Sequence, residues 1–253
     1  MTYTRSKFAI LSGNTLKIIA AISMVIDHIG FLFFPGVQIF RILGRLALPI
    51  FAFMIAEGCR YTRNKLRYFL TIFILAALCQ IVYFLFDGST DMSILVTFSL
   101  SILIVYALQF FKKTLFSSES TLGRKLLSAL PFIFVTVAAY LINTVLIIDY
   151  GFNGCFLPVF ASIFHTPKEV QDEGFGKLDC IPVHVLSLGI GILILAINSG
   201  TTQFFMLCAL PLLLLYSGKR GKLKMKYFFY IFYPLHLAAL QGIYMLMDIL
   251  KGA

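Results

Sequence analysis

Charge is scarce in this chain. Only 13% of its 253 residues are charged and just 11 are acidic, against 60% hydrophobic residues and a mean hydropathy of +0.93. A soluble domain carries about 25% charged residues, so this composition excludes a soluble fold. Cysteine is sparse and unpatterned. Cys59, Cys79, Cys155, Cys180 and Cys208 are odd in number, scattered, and without a CxxC pair. That excludes a disulfide framework and leaves most of them as small apolar packing residues within helices. No metal-ligand spacing is present either, so no metal is expected. No small-residue cleavage site follows the first apolar run, which is too long for a signal-peptide core and is read as retained. With no visible repeat and no soluble insertion, 1–253 reads as one integral membrane domain.

What is there is a series of apolar runs separated by breakers. The chain is read as an all-α, polytopic transmembrane bundle of about nine spans, each near the ~20 residues that a bilayer needs. The spans are 15–35, 40–59, 67–86, 92–111, 125–148, 152–165, 182–199, 201–216 and 227–250. The run 152–165 is short enough to be re-entrant.

Basic residues orient the bundle. Arg5, Lys7 and Lys17 lie before or at the start of the first span. Arg60, Arg63, Lys65 and Arg67 lie between spans two and three. Lys112, Lys113, Arg124 and Lys125 lie between four and five. Lys219, Arg220, Lys222, Lys224 and Lys226 precede the last. With nine spans, these sixteen of the 21 basic residues share one face, and the N-terminus is cytoplasmic. If 152–165 does not cross, the last basic loop falls on the wrong side. The mildly acidic loop 166–181 (Glu169, Asp172, Glu173, Asp179) fits that face least well. The net charge of +10 is thus explained by orientation and by anionic lipid. The basic residues hug membrane ends, which gives little support for a nucleic-acid partner. A multi-pass protein of the cell membrane is expected.

Against this apolar background one pair stands out. Asp27 and His28 lie in the run LKIIAAISMVIDHIGFLFF. An Asp at the centre of a membrane helix costs about 2.5–3.5 kcal/mol on insertion scales. Such a pair is retained when it faces a protein interior or polar cavity, either as a structural hydrogen-bonding pair or as a handler of protons, ions or substrates. Adjacent helical residues point ~100° apart, so each needs its own partner. For Asp27 that partner is read as Arg45, set in RILGRLALPIFAFMIAEG, where Gly44 permits close helix approach and Pro49 kinks the span. His28 lies eleven residues after Lys17, close to three helical turns. Lys17 is either a cationic foot for an anionic cofactor or an ordinary snorkelling lysine. His236 lies ten residues after Lys226, which puts both histidines ~15–17 Å into the membrane, near the midplane. Pro234, two residues before His236, frees a backbone carbonyl. It marks either an opening that lines a cavity or a tolerated kink. Glu57 is expected to pair with Arg60 or Arg63. His165 and His184 fall near helix ends and read as ordinary, His184 as a cap or headgroup contact.

These blocks together resemble the TraX family of integral membrane acetyltransferases. The matching residues are LKIIAAISMVIDHIGFLFFP, RILGRLALPIFAFMIAEGCRYTRN, TFSLSIL, DYGFNGCFLP, LPLLLLYSGKRG and KYFFYIFYPLHL, in order from Leu16 to about Leu240. The loop 165–181 carries no part of the resemblance. The family resemblance implies acetyl transfer from acetyl-CoA to the N-terminal alanine of conjugative pilin. More distantly, it implies transmembrane acyltransferases that use a membrane-embedded histidine. Carried onto this chain, that role goes first to His28 and second to His236.

The expectation is an acetyltransferase with acetyl-CoA as co-substrate and a peptide or small-molecule acceptor. His28 acts as general base or nucleophile, suited by an imidazole pKa near ~6.5. Asp27 and Arg45 organise charge, and His236 takes a second acid–base or oxyanion role. Lys17, Arg60, Arg63, Lys222 and Lys224 meet the phosphates of the cofactor. Arg41, Asp149, Tyr150 and Tyr233 line the acceptor path. Two rival readings stay open. A proton-coupled transporter or flippase uses the same intramembrane groups, and a non-catalytic assembly factor needs neither histidine.

Overall fold

A computed structural model describes residues 9–170, 172, 174–222 and 225–252, and among these the chain is helical with no strand. Helix α1 (Gly13–Phe33) starts at Ser12, whose hydroxyl accepts the Thr15 N–H at 3.2 Å. The second span is broken into α2 (Gln38–Gly44) and α3 (Ala47–Tyr61). The break follows from Pro49, which has no N–H to donate and whose ring crowds the carbonyl four residues earlier, that of Arg45. Then come α4 (Lys65–Asp87), α5 (Ile94–Phe116), α6 (Leu122–Val145) and the short α7 (Gly151–Ser162). They are followed by α8 (Ile181–Ser199), a 3-10 helix (Thr201–Cys208) running into α9 (Ala209–Leu214), and α10 (Lys226–Gly252).

Seven helical segments are long and apolar enough to cross a membrane: α1, α2–α3, α4, α5, α6, α8 and α10. Contacts at their ends show how the two short pieces pack along the bundle. Tyr150, just before α7, meets Arg45, while the carbonyls of Ser162 and His165 beyond its other end meet Lys112 near the end of α5. Likewise Gln203 meets Arg45, and Tyr216, after α9, pairs with Leu11 ahead of α1. The two short pieces therefore lie where the sixth and eighth of the nine expected spans are read, beside the seven segments long enough to cross. The loops carrying Arg60, Arg63, Lys113, Arg124, Lys219 and Arg220 all lie at one end, here the basic end. The segment 163–180 lies there too. Arg5, Lys7, Glu173 and Lys224 lie outside the described residues.

Helix α3 is the central element. Eleven of its residues are buried, against only Ser128 and Ala139 in α6. Leu16, Ile50, Phe53, Ile102, Leu157 and Leu188 form the fully buried centre. The broad apolar surface left on α6, α4 and α10 is what lipid would cover. At the basic end, the turn after α9 closes over the start of α1. The N–H groups of Gly13 and Asn14 reach the carbonyls of Lys219 and Arg220 at 2.8 and 2.9 Å, which satisfies donors that a helix start leaves open.

Candidate active site

The site is built where α1 crosses α2. Gly44 sits directly against Asp27, so close that a Cβ there would overlap the carboxylate. Gly30 is matched in the same way by the Phe40 ring. Ser23 on α1 also donates its hydroxyl hydrogen bond to the Leu43 carbonyl. With the helices this close, Asp27 reaches two guanidinium groups. Its Oδ1 accepts from Arg45 Nη2 and its Oδ2 from Arg41 Nη1, both at 2.8 Å. Arg45 is buried and further committed, donating to the Arg41 carbonyl (3.1 Å), the Tyr150 hydroxyl (2.8 Å) and Gln203 Oε1 (3.1 Å). Arg41 keeps about a third of its side chain accessible, at 35%. One carboxylate thus holds two cations, and the cluster keeps a net positive charge with one guanidinium open.

His28 lies on the neighbouring face of α1. Its Nδ1 donates to the Met24 carbonyl at 2.8 Å, because a carbonyl can only accept. The neutral ring then carries its lone pair on Nε2. His236 is built the same way, with Nδ1 donating to the Phe232 carbonyl at 3.0 Å. The two rings meet edge to face with centroids 5.3 Å apart, so the equal depth read from the basic loops holds. Their surroundings differ. His28 lines a cavity of about 750 Å³. His236 is buried behind it, stacked on Phe232 and edge-on to Tyr233, and its Nε2 has no hydrogen-bond partner among the described residues.

The cavity runs between α1, α3, α4, α5 and α10. Lys17, Tyr68 and Tyr230 line it toward the basic end, and Arg41, Asp91, Asp149 and Tyr150 line it toward the far end. The middle is apolar, with Phe51, Ile72, Leu75 and Leu237. The Lys17 ammonium lies 5.9 Å from the Phe229 ring centre. At the far end the loops after α4 and α6 pair, Asp149 N–H donating to the Met92 carbonyl at 3.0 Å and Thr97 donating its hydroxyl hydrogen to the Asp149 carbonyl at 2.7 Å. Tyr150 sits in the left-handed region at φ 58°, a conformation that side chains with a Cβ rarely adopt, and it aims its hydroxyl at Arg45. The Asp149 side chain faces the cavity. Enclosure by the surrounding protein raises its carboxyl to about 6, Arg45 opposing and the like charge of Asp27 adding to the rise.

Lys17, Asp27, His28, Arg41, Arg45, Asp149, Tyr150 and Tyr233 therefore share one cavity wall, and His236 touches it through His28. Arg63 and Lys222 are exposed at the basic end. Three expectations need correction. Arg60 is not open to a cofactor: its guanidinium grips Asp179 with Nη1–Oδ1 at 2.5 Å and Nη2–Oδ2 at 2.9 Å, and both side chains are buried. Glu57 forms an ion pair with neither Arg60 nor Arg63 among the described residues. It is buried and bonds the Tyr216 hydroxyl, with His165 Nε2 3.7 Å away. His165 and His184 are not helix-end ornaments. Both are buried, with ring centroids 4.3 Å apart, and His184 Nε2 lies 3.2 Å from Asp179 Oδ1. Gln203 is a further participant, and no spacing in the sequence points to it.

A family model described as TraX protein matches residues 12–244. The chain belongs to the TraX family. The TraX match spans the Asp27–Arg41–Arg45 cluster, His28, His236 and the buried Arg60–Asp179 and His165–His184 pairs. Among relatives, a probable fimbrial assembly protein, FimC of serogroup H1, from Dichelobacter nodosus is 25% identical over 249 residues, covering 90% of this chain and 94% of that protein. An uncharacterized protein of Rickettsia prowazekii (strain Madrid E) is 29% identical over 186 residues, covering 66% of this chain and 72% of that protein. No solved structure matches.

Proposed function

We propose that this TraX-family chain is a membrane-embedded acetyltransferase that moves an acetyl group from acetyl-CoA at the basic end to an amine or hydroxyl at the far end. The observation that carries the reading is His28, a histidine whose Nδ1 is held by the Met24 carbonyl and whose Nε2 makes no hydrogen bond among the described residues, on the wall of a cavity that reaches toward both ends of the bundle. The basic end is taken as cytoplasmic from its charge, in a cell membrane. The phosphates of the donor meet Lys17, Arg63 and Lys222. From Lys17 to His28 is about 16 Å along the helix axis, the reach that a pantetheine arm has to cover.

At that depth His28 Nε2 removes a proton from the acceptor as its nitrogen or oxygen attacks the thioester carbonyl. The carbon–sulfur bond breaks, and the proton passes to the leaving thiolate. General base catalysis of this kind contributes about 10²–10⁴-fold. Asp27 touches no reacting atom. It positions Arg45 and Arg41, and Arg41, with accessible surface, stabilises the developing oxyanion or an acceptor carboxylate. His236 packs edge to face behind the His28 ring, and the second acid–base role is assigned to it. The acceptor enters past Arg41, Asp149 and Tyr150, with Tyr233 below. The relative named as a fimbrial assembly protein favours a peptide subunit as acceptor.

A proton-coupled transporter is the second reading, favoured by a cavity that reaches toward both ends and carries ionisable groups between them. Purified protein in detergent separates the two. The acetyltransferase binds and turns over labelled acetyl-CoA with a panel of amines. A transporter does neither and responds in liposomes to a pH gradient.

A further inference from the structure

The cation on the cavity wall at the basic end lacks a counter-ion. Lys17 forms no ion pair or hydrogen bond among the described residues, and its ammonium meets the Phe229 ring at 5.9 Å from the ring centre. Other cations inside the bundle are matched. Arg45 has Asp27 at 2.8 Å, Arg60 has Asp179, and Lys112 donates to the carbonyls of Ser162, Ile163 and His165 at 2.7, 3.0 and 2.8 Å. An aromatic face is a weak substitute for a counter-charge at membrane depth. The acids that line the cavity, Asp27, Asp91 and Asp149, lie at the level of His28 or toward the far end.

The turn next to Lys17 adds to the deficit. Residues 217–221 are clamped onto the start of α1. The Ser217 N–H donates to the Leu11 carbonyl at 2.8 Å, and the carbonyls of Lys219 and Arg220 accept from Gly13 and Asn14. Gly221, at φ 100°, sits against Ser12 and Asn14, where a Cβ would crowd the Ser12 hydroxyl. Asn14 lies three residues before Lys17, on the same face of α1. The clamp therefore fixes the Arg220 backbone beside the cavity mouth, and the exposed Arg220 guanidinium adds like charge next to Lys17. Two cations held together without an acid between them make a place for an anion.

Depth says which anion. Lys17 and His28 share one face of α1, about 16 Å apart along its axis. An extended chain advances about 1.2 Å per bond, and about thirteen bonds separate phosphorus from sulfur in phosphopantetheine, a reach of about 15 Å. A phosphate at Lys17 therefore sets the sulfur beside His28. Arg63, Lys219 and Lys222 do not line the cavity, so whatever continues beyond that phosphate lies outside it. We propose that Lys17 and Arg220 form a subsite for the phosphate of phosphopantetheine, and that this unit, rather than the nucleotide of coenzyme A, is what the cavity recognises. The inference rests on the acetyl-transfer reading for the place of the thioester. It widens the donor class to phosphopantetheine thioesters and leaves Arg63 and Lys222 a minor share of the binding.

Titration calorimetry of the purified full chain in detergent, with coenzyme A, 4′-phosphopantetheine and pantetheine kept as thiols, tests this without turnover. Phosphopantetheine should bind within about tenfold of coenzyme A. Pantetheine, which lacks the phosphate, should bind about 10–100-fold more weakly than phosphopantetheine, the loss expected for a charge-assisted contact. Lys17→Met should weaken both phosphate-bearing ligands by about tenfold or more and leave pantetheine unchanged. Arg220→Gln keeps the backbone clamp and should act in the same direction, which serves if Lys17→Met does not fold. Three results overturn the subsite: phosphopantetheine more than about tenfold weaker than coenzyme A, pantetheine as tight as phosphopantetheine, or an unchanged phosphopantetheine Kd in the folded variants. Transfer assays with the three acetyl thioesters keep the two claims apart. Binding as expected with no transfer from any of them refutes the acetyl-transfer reading and leaves the phosphate subsite standing.

Discussion

Asp27 holds two guanidinium groups, so its charge is the one whose loss costs most in this cluster. Asp27→Asn leaves the buried Arg45 without the carboxylate that it hydrogen-bonds. Breaking a buried pair from one side costs about 3–5 kcal/mol, and the midpoint of thermal unfolding in detergent should fall accordingly. Arg41→Gln should fall less, because Arg41 is partly accessible and Asp27 keeps Arg45. Asp149 supplies a pH prediction. Its carboxyl, raised to about 6, is ionised above that pH and neutral below it. The apparent KM for a cationic acceptor should rise as pH drops through about 6, and Asp149→Asn should give a high KM without that step. Asp27, Arg45, His28 and His236 were legible because each is a polar residue stranded in an apolar run, and a stranded charge demands a partner. Asp179 and His184 were not. One lies in a loop and the other at a helix start, where polar residues are ordinary, and Asp179 finds Arg60 across 119 residues of sequence. Gln203 was hidden for the same reason.

At the scale of elements, the site depends on how closely α1 approaches α2. Gly44 and Gly30 remove the side chains that would hold the helices apart, and Asp27 and Phe40 fill the notches. Gly44→Ala therefore overpacks the crossing, at a cost of about 1–3 kcal/mol, and displaces Asp27 from Arg45. Gly36→Ala is the matched control, since nothing lies within 4 Å of the Cβ it adds. Thermal stability in detergent should fall for the first and not for the second. Gly44 as a point of close approach and Pro49 as the cause of a break were readable in the sequence, because each acts through its own backbone chemistry. The break itself lies at 45–46, ahead of the proline, because the clash falls on the preceding turn. The 3-10 form of 201–208, which carries Gln203 to the site, has no comparable signature.

For the whole molecule, nine passes and seven make different predictions. With nine, positions 63, 177 and 222 share one side and position 201 lies opposite. If α7 and the 201–214 helix did not cross, 177 would move away from 63 and 222, and 201 would join them. Single cysteines at Arg63, Lys177, Thr201 and Lys222, with Cys180 and Cys208 replaced, can be labelled from each side of sealed vesicles. The expected pattern is 63, 177 and 222 together. The spans were legible because basic loops and apolar runs act over the whole chain. Assembly of the buried Arg60–Asp179 and His165–His184 pairs was not, since it depends on how the 163–180 segment folds back against α3 and α5. The central claim is that His28 performs acetyl transfer, and the most direct test is turnover of labelled acetyl-CoA by purified wild type and His28→Ala with a responsive amine or peptide acceptor. The account predicts a loss of about 10²-fold or more in transfer, with folding and acetyl-CoA binding retained. Transfer unchanged in a folded His28→Ala protein would contradict it.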